Sequence, residues 1–159
     1  MTDPSVPAYI AVVGTGTADP TEATTAEAVG RLLATRSAVV VCGGLGGVME
    51  GVARGARSAG GTVVGLLPGT DRADANEHVT VALTTGLGEM RNALVVRAAD
   101  AVIAIGGAYG TLSEIAFALR TGVPVVGIGT WDLDDVVDAP GPTEAVELAL
   151  ALADERRRS

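Results

Sequence analysis

Lysine is absent from this chain: all eleven of its basic side chains are arginines. A Walker-type phosphate loop needs a lysine ammonium and a pyridoxal-phosphate enzyme needs one for its Schiff base, so neither mechanism is available in its usual form. Cysteine occurs once, as Cys42, which excludes an intrachain disulfide, and histidine once, as His78, which leaves no His/Cys cluster of the kind that holds a metal. Aromatic residues make up only 3% of the chain. No apolar run approaches the roughly 20 residues of a membrane span, and the opening MTDPSVPAYI lacks the basic and long apolar regions of a signal peptide. Net charge is −8, which argues against broad binding to nucleic acid or to a membrane surface, since both rest on excess positive charge. These absences predict a soluble cytoplasmic protein whose partner is a small molecule held at a local site.

What is present is apolar and rich in glycine: 48% of the 159 residues are hydrophobic and 22 are glycine. That is enough for a full core, and no break in composition marks a second unit, so a single domain over 1–159 is expected, with its core at about 8–157. Six short runs read as strands: YIAVVG (9–14), AVVVCGG (38–44), TVVGLLP (62–68), HVTVAL (78–83), AVIAIGG (101–107) and VPVVGIG (123–129). Most are nearly continuous in valine and isoleucine, as expected of parallel strands covered by helices on both faces. Helical patterns fill the gaps at about 21–35, 47–59, 88–99, 111–121 and 142–157. The alternation predicts an α/β fold, a Rossmann-like doubly wound and mainly parallel sheet sandwiched by helices. The segment TWDLDDVVDAPGP reads as an irregular link between the last strand and the last helix.

Such sheets bind ligands beyond the carboxyl ends of their strands, which directs attention to three glycine-rich turns. They begin at Gly14 (with Thr15 and Gly16), at Gly43 (with Gly44) and at Gly106 (with Gly107, Ala108, Tyr109, Gly110 and Thr111). Glycine lets a ligand approach the main chain, and the following helix offers free N–H groups and a partial positive charge, so a phosphate fits there. Tight strand-to-helix turns also use glycine for purely structural reasons. A dinucleotide is poorly supported: Asp19 stands where the third fingerprint glycine belongs, and the second strand ends in Cys42-Gly43-Gly44 without an acidic residue for a ribose.

The stretches GGLGGVMEGVARGARSAGGTVVGLLP, EMRN and GGAYGTLSEIAFAL together resemble the LOG-like (Lonely Guy) superfamily over about residues 8–130. Its characterised members are nucleoside 5'-monophosphate phosphoribohydrolases, long mislabelled as lysine decarboxylases. The MRN and GGAYGT forms look closer to a bacterial branch that also resembles the molybdenum cofactor carrier proteins. The family signature PGGxGTxxE falls on residues 106–114, with Gly106 in place of proline and Ala108 in place of the second glycine; its Arg-Lys pair falls on Arg91 and Asn92. The resemblance implies Arg91 and Glu114 as catalytic residues, puts Met90 and Asn92 among the ligand-binding positions, and implies a homodimer or larger homo-oligomer. It requires no cofactor, although a nucleotide, phosphate or molybdopterin-type ligand fits as the bound molecule.

Cleaving the bond between a base and ribose 5-phosphate builds positive charge on the sugar, which a carboxylate such as Glu114 would stabilise while Arg91 holds phosphate or ribose oxygens. Each residue also has a plain structural role open to it. Thr111-x-x-Glu114 is spaced as a capping box, and Arg91 begins a helix on which Leu94, Val95 and Ala98 would form the core face, leaving the arginine to pair with Glu89. Cys42 reads as a core residue, and His78 as the opening of a strand. Asp132, Asp134, Asp135 and Asp138 read as a solvated loop rather than a metal cage. Two functions therefore stand: a phosphoribohydrolase, or a carrier or sensor using the same crevice without turnover.

Overall fold

The structure is a computed structural model that describes residue 3 and residues 5–159. Seven strands form one sheet: β1 (Tyr9–Gly14), β2 (Val39–Cys42), β3 (Val63–Leu67), β4 (Val81–Thr84), β5 (Ala101–Ile105), β6 (Val125–Ile128) and β7 (Val136–Asp138). Their spatial order is β4-β3-β2-β1-β5-β6-β7, and every neighbouring pair is parallel. Five helices cover it: α1 (Pro20–Thr35), α2 (Val48–Ser58), α3 (Arg91–Arg97), α4 (Tyr109–Arg120) and α5 (Pro142–Arg158). The expected Rossmann-like α/β sandwich is the fold observed.

Strand burial explains the missing polar alternation. Along β1, Ile10 and Val12 join the core under α1, α2 and α5, while Ala11 and Val13 join the core under α3 and α4. All five residues of β5 are buried, so both faces of the central strands demand apolar side chains. The chain leaves β1 outward through β2, β3 and β4, then crosses to place β5 on the other side of β1, with Gly14 in register with Ile105. That reversal splays the loops after β1 and β5 apart and opens a crevice between them.

Helix α1 starts at a full capping box: the Asp19 side chain accepts from Glu22 N–H at 2.8 Å, and the Glu22 carboxylate accepts from Asp19 N–H at 3.1 Å. It crosses α2 in close contact, because Gly30 faces the carbonyl of Val52 and Gly55 faces the carbonyl of Glu27 with no room for a Cβ. At the far end, Arg156 donates to the carbonyls of Gly122 at 3.2 Å and Ala99 at 3.4 Å, tying α5 to the segments that follow α4 and α3.

Four expectations are corrected. The supposed link at 130–142 contains β7, a three-residue edge strand whose Asp-rich flanks mask it. His78 lies in a turn, since the fourth strand begins only at Val81. The helix expected at 88–99 is a short 3-10 turn, Gly88–Met90, followed by α3, and its buried face is Arg91, Val95, Val96 and Ala99; Leu94 and Ala98 are exposed. Finally, α4 starts at Tyr109, two residues earlier than expected, with Ala108 as N-cap and no side-chain cap. Thr111 and Glu114 thus lie inside the helix, and the capping box does not form.

Gly55→Ala is expected to destabilise the protein by about 1–3 kcal/mol, because a Cβ there must push apart two helix backbones. Urea denaturation of wild type and variant measures it; an unchanged midpoint would mean that the crossing is looser than described.

Candidate functional site

A cleft of about 370 Å³ opens at the carboxyl edge of the sheet, at the crevice between β1 and β5. Its walls come from the β1 turn (Gly14, Thr15, Gly16), the β2 turn (Gly43, Leu45, with Met49 of α2) and Pro68 after β3; Glu89, Arg91 and Asn92 at the start of α3 face Ala108, Gly110, Thr111 and Glu114 on α4.

Local sequence explains how these groups are brought together. Gly43 has no side chain because the Arg91 guanidinium occupies that space: a Cβ would lie 2.7 Å from Arg91 Nη2 and 2.5 Å from Met49 Sδ. Gly14 similarly makes way for Val48, whose N–H donates to the Thr15 carbonyl at 3.0 Å and so ties the start of α2 to the β1 turn. The β2 turn is held from above by Asn76, whose Nδ2 donates to the Leu45 carbonyl at 2.8 Å and the Gly44 carbonyl at 3.3 Å. At the head of α4, the Trp131 indole N–H donates to the Ala108 carbonyl at 3.2 Å, and its ring lies 5.8 Å from that of Tyr109. With no side chain capping α4, its first-turn N–H groups lack internal partners.

Polar satisfaction is incomplete here. Four buried side-chain atoms among the described residues have no hydrogen-bond partner, and three of them, Arg91 Nε, Asn92 Oδ1 and Thr111 Oγ1, belong to residues that line this cleft. Arg91 is only 8% exposed and Thr111 only 1%. Neither Arg91 nor Glu114 takes part in an ion pair among the described residues, so the suggested Arg91–Glu89 bridge is not formed. Their charges still act on each other at longer range. Burial pushes the Glu114 carboxyl up to about 7, against the opposing pull of Arg91. Burial also lowers the Arg91 guanidinium, partly offset by Glu114, Cys42 and Glu89. Cys42 is fully buried and its thiol is raised to about 11 by that burial, which fits its reading as a core residue.

The structure gathers Gly14, Thr15, Gly16, Gly43, Arg91, Asn92, Ala108, Gly110, Thr111 and Glu114 around one cleft. Gly44, Gly107, Tyr109 and Met90 fall outside its lining. Gly44 serves the turn itself with φ +76° and packs against Leu67, while Met90 and Tyr109 point to solvent at 77% and 83% exposure. Asp132, Asp134, Asp135 and Asp138 are exposed, and no group of three or more potential metal-ligating side chains is gathered among the described residues. Sequence reading missed Glu89 as a lining residue, and Asn76 and Trp131 as supports, since their roles depend on contacts 31 and 23 residues away in the chain.

Residues 7–155 match the model of a family described as the SLOG cluster4 family. Among solved structures, the chain is similar to the molybdenum cofactor binding protein of Rippkaea orientalis, with 35% identity and a TM-score of 0.88 over 93% of this chain and 98% of that one. It is also similar to the molybdenum cofactor carrier protein of Chlamydomonas reinhardtii, with 30% identity and a TM-score of 0.86 over 94% and 99% of the two chains. A protein of Oryza sativa subsp. japonica named "Probable cytokinin riboside 5'-monophosphate phosphoribohydrolase" is 32% identical over 112 residues. That match takes in 67% of this chain but only 49% of the rice protein.

Glu114 sets a pH signature. With its carboxyl near 7 in the folded state and near 4.5 when free, the native protein holds one more proton than the unfolded chain between those values. The contribution is fully present below pH 4.5, is lost as pH rises through 7, and amounts to at most about 3 kcal/mol. Comparing denaturation midpoints at pH 4.5 and pH 8, Glu114→Gln should remove this part of the slope; an identical slope in wild type and variant would place the carboxylate in solvent.

Proposed function

The chain belongs to the SLOG cluster4 family of LOG-like proteins, and from that premise we propose that it binds a phosphorylated small molecule of nucleotide or pterin type, with the phosphate on the first turn of α4. The orphaned polar atoms carry this reading. Leaving a buried donor unpaired costs about 1–3 kcal/mol, and Arg91 Nε and Thr111 Oγ1 are left so in one cleft. Phosphate oxygens accept from both, and from the free N–H groups of α4. Arg91 is the only basic side chain in the lining, beside the two acids Glu89 and Glu114, which matches one phosphate rather than a chain of them.

Within that reading, we assign the protein the part of a carrier for which the phosphorylated molecule is cargo, on the model of a molybdenum cofactor carrier. Similarity to such proteins runs over nearly the whole chain. The site also departs from the hydrolase signature at Gly106, Ala108 and Asn92. A second reading, hydrolysis of the base–ribose bond of a nucleoside 5'-monophosphate, is favoured by Glu114. Its carboxyl near 7 is suited to give or take a proton at neutral pH, and its charged form would stabilise an oxocarbenium-like sugar.

Inorganic phosphate and AMP are expected to raise the melting temperature by mass action. Thr111→Val should leave the free protein as stable or slightly more so, since it removes an unpaired hydroxyl, yet weaken phosphate binding by about tenfold. No shift with either probe would overturn the binding site. AMP incubated with high concentrations of the protein should remain intact; release of free adenine would replace the carrier by the hydrolase.

A further inference from the structure

Beside the anion cleft lies a second cavity of about 210 Å³, lined by Ala93 and Phe117 among others, with the largely exposed Met90 at its edge. Three residues line both cavities: Glu89, Asn92 and Glu114. The shared wall therefore carries acceptor oxygens on all three side chains, two carboxyl groups and a carboxamide. The Asn92 oxygen is buried without a partner. A buried acceptor left unmade destabilises the free protein, and a donor arriving from outside relieves it.

From this juxtaposition we infer that Asn92 is a specificity-determining residue: its carboxamide oxygen accepts a hydrogen bond from the organic part of the ligand, so the site selects a monophosphate bearing O–H or N–H donors close to its phosphate. This rests on the anion-binding reading given above. With the phosphate on α4 and Arg91, a substituent that extends toward the apolar cavity passes the shared wall on the way. Sugar hydroxyls satisfy that wall, as do the amino or ring N–H groups of a heterocycle. A donor-free ester leaves Asn92 unpaired, and a second anionic group there would face Glu89 and Glu114.

The test is a calorimetric titration of wild type, Asn92→Leu and Asn92→Asp with methyl phosphate, ribose 5-phosphate and AMP. Wild type is expected to bind the two donor-bearing esters more tightly than methyl phosphate. Asn92→Leu should lose about tenfold for at least one of them and nothing for methyl phosphate. A loss with ribose 5-phosphate and AMP alike assigns the donor to the sugar; a loss with AMP alone assigns it to the base. Asn92→Asp presents an oxygen whichever way the amide is turned, and should keep the preference while weakening all three by charge repulsion. In the absence of ligand, Asn92→Leu should melt at or above the wild-type temperature, because an orphaned acceptor is gone; a purely structural asparagine would lower it. An equal loss on all three probes, or no loss on any, overturns the inference. Failure of the wild type to bind any of them sinks the anion site itself.

Discussion

Every strand of the sheet runs the same way, and from that constraint the rest follows. A parallel sheet must be covered by helices on both faces, so its strands carry side chains with little chemistry: valine, isoleucine, alanine and glycine. All polar function is then displaced to the edges. Because the strands are parallel, their carboxyl ends emerge together, and with them the starts of α2 and α4. The reversal of strand order at β1 and β5 separates two of those loops, which makes the opening and fixes its place.

Into this opening the chain sends one guanidinium. Arg91 reaches it from the first turn of a helix, passes over a glycine that leaves room for it, and arrives nearly buried without an ion-pair partner. A buried unpaired cation is costly and would be discarded if stability alone were served. Its presence, together with a buried threonine hydroxyl that bonds to nothing, places the unmet demand of the structure at one point. A ligand of the kind proposed would bring the opposite inventory: acceptors toward Arg91 and Thr111, donors toward Asn92.

Much of this was legible in the residues themselves. Continuous apolar runs between helical patterns gave the layer order, and the glycine turns lie at the edge of the sheet where the cleft opens. Arg91 and Glu114, set by a sequence signature, do face one cleft. Other features were hidden by physical causes. β7 is a three-residue edge strand with one face to solvent, so it carries no buried run to betray it. The spacing Thr111-x-x-Glu114 imitates a cap, but Tyr109 and Gly110 already take helical geometry, and the threonine turns inward instead of back on the main chain. Met90 sits next to Arg91 in sequence, yet on a helix neighbours diverge in direction, and it lies largely exposed outside the cleft that the arginine faces. Asn76 and Trp131 lay beyond any local pattern because what they hold is assembled only by the fold.

Trp131 is the chain's single tryptophan, and its indole is bonded to the N-cap residue of the helix on which the anion is proposed to sit. The fluorescence of the whole protein above the tyrosine range thus comes from one ring fastened to the rim of the cleft. A ligand that drew the first turn of α4 toward itself would alter the hydrogen bonding of that ring, without a dye, a label or an engineered probe. With the anion seated as proposed, the molecule would carry its own optical reporter of occupancy.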